Sequence, residues 1–107
     1  MNGRAFYSAS IKEFIEESSY SVLGKMAENN PFDLTDMQRF AWGEEIAILK
    51  DQLQGAEDGR ILFEYTIPRM GKRVDTVLLY KGLVILLEFK AGDNEYRKTT
   101  FDGLLIR

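Results

Sequence analysis

Arg73-Val74-Asp75-Thr76-Val77-Leu78-Leu79-Tyr80-Lys81-Gly82-Leu83-Val84-Ile85-Leu86-Leu87-Glu88-Phe89-Lys90 places two apolar runs on either side of Lys81-Gly82, a pair suited to a two-residue hairpin turn. With that turn Tyr80 faces Leu83 and, counting outward, Asp75 faces Glu88. Side chains alternate along a strand, so Lys90 shares the face of Glu88 and has Arg73 opposite it. Two carboxylates roughly 5 Å apart across a strand pair repel and need a compensating cation, for which a divalent metal is the natural candidate. Val77, Leu79, Val84 and Leu86 lie on the charged face. Val74, Thr76, Leu78, Leu83, Ile85, Leu87 and Phe89 lie on the other, so both faces are expected to be covered.

Composition narrows the chemistry. The chain has 107 residues, which predicts one domain spanning 1–107 that buries its core without staples. It holds neither cysteine nor histidine. Thiolate and imidazole metal sites, disulfides and Ser-His or Cys-His catalysis are thereby excluded, and any metal must be held by oxygen, which favours Mg²⁺ or Mn²⁺ over zinc. Met1 to Lys12 lacks an apolar core of signal-peptide length, and the longest apolar run, Leu83 to Leu87, is too short for a bilayer; a soluble cytoplasmic protein is the expectation.

The net charge of −3 conceals an asymmetry. Residues 1–59 carry 5 basic and 11 acidic side chains, whereas residues 60–107 carry 9 basic and 6 acidic. The strand-rich half is therefore the cationic one. Arg69, Lys72 and Arg73, with Lys81, Lys90, Arg97 and Lys98, are candidates for phosphate contacts with nucleic acid.

Ser10-Ile11-Lys12-Glu13 has the form of a capping box and predicts a short helix from Ile11 to Glu17. A second helical cluster, Val22, Leu23 and Met26, continues to Glu28 and stops at Asn29-Asn30-Pro31. The main helix is predicted from Thr35 or Asp36 to Leu53, with one stripe of Trp42, Ile46, Leu49 and Leu53 and another of Met37, Ala41 and Ile48. Glu45 falls between the stripes and is a candidate third carboxylate for the metal site; Glu44 borders the smaller stripe and is its one-residue alternative. Arg60 to Pro68 reads as a strand, and Arg69-Met70-Gly71-Lys72 turns the chain into the hairpin, giving a three-stranded antiparallel meander. A four-residue turn puts Glu64 on the face of Asp75, and a slip of one residue removes it.

A helix acid, then a meander with Asp75 on its second strand and Glu88-Phe89-Lys90 on its third, resembles the PD-(D/E)XK nuclease superfamily over Thr35 to Gly92. Gln38-Arg39-Phe40-Ala41-Trp42, the run Phe63 to Asp75, and Leu87-Glu88-Phe89-Lys90 are more narrowly similar to an amino-terminal nuclease-like domain of bacterial proteins in which it precedes a helicase-like ATPase. The resemblance implies a restriction-endonuclease-like α/β domain of α+β arrangement. It implies Asp75, Glu88 and Glu45 as ligands of Mg²⁺ or Mn²⁺, and Lys90 as the lysine that orients or activates the attacking water. The implied activity is metal-dependent hydrolysis of phosphodiester bonds in nucleic acid.

Val74 stands where that signature carries proline. The helix and fourth strand that follow in the superfamily, and the ATPase with its phosphate loop, have no counterpart in the sequence, which reads as a carboxyl-terminally truncated domain. Two expectations follow. An inactive remnant that binds nucleic acid or protein is the alternative function, and the third strand, left as an apolar edge, is expected to pair with another copy or to exchange the tail Asp93 to Arg107.

Overall fold

The computed structural model describes residues 4–56 and 58–89, together with the backbone of 96–101. It is a mixed α and β domain: β1 (Tyr7–Ser10), α1 (Ile11–Glu16), α2 (Ser19–Asn29), α3 (Asp36–Gln52), β2 (Arg60–Ile67), β3 (Lys72–Tyr80), β4 (Leu83–Phe89) and β5 (Tyr96–Phe101). The strands form one antiparallel sheet in the order β1-β2-β3-β4-β5. No helix among the described residues is long and apolar enough to cross a membrane.

Local chemistry sets the helix starts. Ser10 Oγ accepts from the Glu13 amide at 3.0 Å while Glu13 Oε1 accepts from the Ser10 amide at 3.0 Å, closing the expected capping box. Ser18 and Thr35 cap α2 and α3 by accepting from Ser21 and Gln38 amides. The carbonyls at the end of α1 are gathered by a distant residue: Lys50 of α3 donates to the carbonyls of Phe14 and Glu17, and its ammonium lies 4.5 Å from the centre of the Phe14 ring.

The three helices cover one face of the sheet. Ile11 and Phe14 of α1, Val22 and Met26 of α2, and Trp42, Ile46 and Leu49 of α3 pack with Ile61, Phe63, Leu78 and Leu87. Phe14 meets Phe63 edge-on at 5.6 Å, and both are fully buried. Truncating either to alanine is expected to cost about 3–5 kcal/mol. In the first stripe of α3 Trp42, Ile46 and Leu49 are buried and Leu53 is half-buried; in the second Ala41 and Ile48 are half-buried and Met37 is 76% exposed, with nothing among the described residues covering it.

The hairpin register agrees with its reading from sequence. Tyr80 pairs with Leu83 and Thr76 with Leu87 around a turn in which Lys81 (φ 50°) and Gly82 (φ 80°) are both left-handed. A four-residue turn, Pro68 to Gly71, joins β2 to β3. Gly59, at φ 117°, lies where a Cβ would stand 2.5 Å from the Leu79 carbonyl oxygen, so this approach of β2 to the end of β3 requires glycine.

Two strands depart from the expected three. β1 is four residues long and lies on β2, with Tyr7 opposite Phe63. β5, in a stretch that is polar in sequence, lies antiparallel on β4 with Val84 opposite Phe101. The expected free edge at β4 is therefore occupied: β4 is an interior strand and β1 and β5 are the outer ones. Self-association through an open β4 edge loses its premise, since the amides and carbonyls that would recruit a second chain are paired within the first.

Candidate functional site

The site lies where the sheet breaks its alternation. Ile61 and Phe63 of β2 and Leu78 of β3 belong to the core under the helices, whereas Tyr65, Ile67 and Val74 pack with Val77 and Val84 in a second cluster. Arg73, opposite Thr66, has its guanidinium 4.9 Å from the centre of the Phe6 ring in the helix-side core. Facing pairs thus change sides together across one position, and the register is kept: Phe63 pairs with Thr76 before it and Tyr65 with Val74 after it. At that position Glu64 stands across from Asp75, and Glu64 takes φ 53°. A non-glycine residue held left-handed inside a strand costs about 1–3 kcal/mol, and it turns the glutamate out of simple alternation.

That break corrects the face assignment made from sequence. Strict alternation would set Asp75 on the side away from the helices, out of reach of a helix acid. Instead Asp75 acts electrostatically on both Glu45 and Glu64. Glu45, only 4% exposed on α3, accepts the hydroxyl proton of Thr76, the strand neighbour of Asp75. Of the two helix candidates Glu45 is the buried one and bonds Thr76, whereas Glu44 is half-buried.

Asp75 is half-buried, and its Oδ2 accepts the Phe89 amide at 2.8 Å. The backbone ladder of β3 and β4 ends at Thr76 and Leu87, so this carboxylate substitutes for a ladder acceptor just where Glu88 comes opposite it. Glu88 is exposed, and its charge adds to that around Asp75. On its other side the register partner of Glu88 is Arg97 of β5. Lys90 lies outside the described residues.

Crowded acids in a dry setting resist ionisation. Burial, reinforced by Asp75 and Glu64, raises Glu45 well above its ordinary value in spite of the Thr76 bond. Burial and the charge of Asp75 push Glu64 up to about 7, opposed by Arg73 and by the Trp42 indole N–H that it accepts. Burial raises Asp75 too, with Glu88 adding and the Phe89 amide opposing. None of Glu45, Glu64, Asp75 or Glu88 forms a salt bridge among the described residues, where the ion pair is Lys25 with Glu17, remote from these acids.

All the donors are hard oxygens, which suits Mg²⁺ or Mn²⁺, and a dication would supply the charge that the carboxylates lack. As they stand, no three acidic side chains among the described residues form a group able to hold a metal ion in common. Glu64, Asp75 and Glu88 lie on neighbouring strands and Glu45 reaches them from α3 through its effect on charge; together they are not a closed cage.

Glu64 had only its conditional face in the sequence, and the contributions of Thr76 and Trp42 had no sequence signal beyond a polar residue in an apolar run and an aromatic in a helix stripe. Arg69 and Lys72 are exposed at the β2–β3 turn, and Arg73 is exposed with its guanidinium over aromatic rings. No family model, no curated protein and no solved structure matches the chain.

Proposed function

We propose that this chain is a metal-dependent nuclease module of restriction-endonuclease-like architecture, acting on nucleic acid in the cytoplasm. The observation that carries the reading is that Asp75 lies within electrostatic reach of Glu45, Glu64 and Glu88, acids contributed by a helix and two further strands, with no salt-bridged cation among the described residues. Structural acids at a sheet surface are ordinarily solvated or paired. Here one is buried at 4% exposure and another is held in a costly backbone conformation, arrangements that persist at functional sites.

In this reading Asp75, Glu88 and Glu45 would have to draw closer than they stand to hold Mg²⁺ or Mn²⁺, which when bound would supply Lewis-acid stabilisation and lower the pKa of a water. Thr76 donates to Glu45 and the Phe89 amide to Asp75, and each bond restricts the orientation of its carboxylate. Lys90, two residues beyond Glu88, orients the attacking water, and its ammonium offsets charge growing on the phosphate. Arg69, Lys72 and Arg73 at the neighbouring turn neutralise the substrate backbone.

Incubation of labelled DNA and RNA with the purified chain in Mg²⁺, Mn²⁺ or chelator tests this. Cleavage is expected only with metal, and it should fall by about 10²-fold or more in Glu88→Gln and in Lys90→Ala while binding survives. Cleavage that persists in chelator, or in both variants, would overturn the mechanism. Binding without any cleavage by the parent would favour the second reading, a binding module; the register that sets Arg97, a basic residue, beside Glu88 is the observation on its side.

A further inference from the structure

The segment joining α2 to α3 leaves Phe32 65% exposed, with its amide donating to Asn30 Oδ1 at 3.1 Å. The ring's described partner is a cation. The Arg73 guanidinium lies 5.9 Å from the centre of Phe32 and 4.9 Å from that of the buried Phe6, so it rests on one ring and neighbours the other. Arg73 also acts electrostatically on Glu64, which stands across from Asp75. An exposed aromatic ring, a guanidinium and the carboxylates thus follow one another across the same end of the sheet.

Unpaired nucleotides present the complementary pair of groups, a π face and an anion. Stacking of one base on an aromatic side chain is sequence-tolerant and adds to phosphate neutralisation by a nearby arginine. A duplex keeps its bases stacked on each other and has no free face for the ring. A purely apolar partner would use Phe32 and leave the exposed guanidinium of Arg73 unmatched.

We infer that Phe32 and Arg73 form a docking point for one unpaired base and an adjacent phosphate of a single-stranded nucleic acid, beside the carboxylates. This rests on the nuclease reading above and assigns that site a single-stranded or locally unpaired substrate. Asp33, next to Phe32, carries the opposite sign, which leaves the Arg73 side of the ring as the path for the phosphate.

The test is fluorescence anisotropy with a labelled oligothymidylate of about 12 nucleotides, a blunt duplex of the same length and an abasic strand, in the Glu88→Gln background with Mg²⁺ so that strands stay intact. Phe32→Ala should weaken binding to oligothymidylate roughly tenfold and leave duplex and abasic strand unchanged. Phe32→Trp should retain affinity, and its added emission should be quenched by oligothymidylate, against the buried Trp42 of the parent as baseline. Arg73→Gln should make the salt dependence shallower on every probe, by about one phosphate contact. Unchanged oligothymidylate affinity in Phe32→Ala, or an equal loss on the duplex, would overturn the inference. So would the absence of binding to any probe, the result expected if the ring serves a protein partner. Cleavage by the otherwise native chain that ignores Phe32→Ala would remove this inference and leave the nuclease reading in place, whereas Phe32-dependent binding without cleavage would remove the nuclease reading alone.

Discussion

Glu64 faces Asp75 across β2 and β3 with its backbone at φ 53°, inside a ladder whose register is the same before and after it. Two acids are thereby brought together at the one place where both strands change the side on which they pack. Regular alternation would have cost less; the strained arrangement sets Asp75 within electrostatic reach of the buried helix acid Glu45.

Metal should stabilise the fold. Saturating Mg²⁺ or Mn²⁺ at about ten times its dissociation constant is expected to add ~1.4 kcal/mol, read as a rise in the thermal midpoint by scanning fluorimetry. Asp75→Asn should abolish the rise and yet be no less stable than the parent in chelator, because the amide oxygen still accepts from Phe89 and a repelling charge is gone. A parent midpoint indifferent to both ions would count against the site.

Stability in chelator should depend on pH in a direction set by the raised acids. Glu64 titrates in the unfolded chain near 4.5 and in the folded one near 7, so it is protonated in both states below pH 4.5 and its contribution is lost as pH rises through 7. Glu45 and Asp75 act in the same direction. Glu17 acts oppositely: burial works against its charge, but bonds from Lys25, Ser21 and Tyr7 hold it at about 2, so its contribution is present above 4.5 and lost as pH falls toward 2. Urea midpoints should accordingly peak near pH 4–5 and decline toward pH 8, and Glu64→Gln should flatten the alkaline side. A midpoint that climbs steadily from pH 5 to pH 8 in chelator would show that the acids ionise without penalty.

Thr76 and Glu45 should behave as a coupled pair. Thr76→Val removes the hydroxyl donor from a buried carboxylate and is expected to cost about 1–3 kcal/mol in chelator. In a Glu45→Leu background the same change should cost less, and the difference is the coupling measured by a double-mutant cycle. Equal costs in the two backgrounds would mean that the hydrogen bond does not hold Glu45 in place.

Neutralising Arg69 and Lys72 together should weaken binding to DNA and RNA without regard to sequence, and the slope of log affinity against log salt should become shallower by up to about two contacts. Thermal stability should be unchanged, since both side chains are exposed at the turn. An unaltered salt slope would place the nucleic-acid surface elsewhere.

The amino-acid order alone was sufficient for the hairpin of β3 and β4, for α1 with its capping box and for the buried stripe of α3, because turn chemistry, capping pairs and hydrophobic period act between residues close in the chain. It also sufficed to exclude thiolate and imidazole ligands. β1 and β5 needed the sheet, since four residues in one case and a polar run in the other become strands through the amides and carbonyls of β2 and β4. The same holds for the burial of Glu45, which depends on how α3 is rotated over β3 and on the Thr76 hydroxyl that meets it there. The left-handed turn at Glu64 has no local sequence cause. It exists because the facing strands switch sides together, and only packing on both faces of the sheet can impose that on a residue that would otherwise extend.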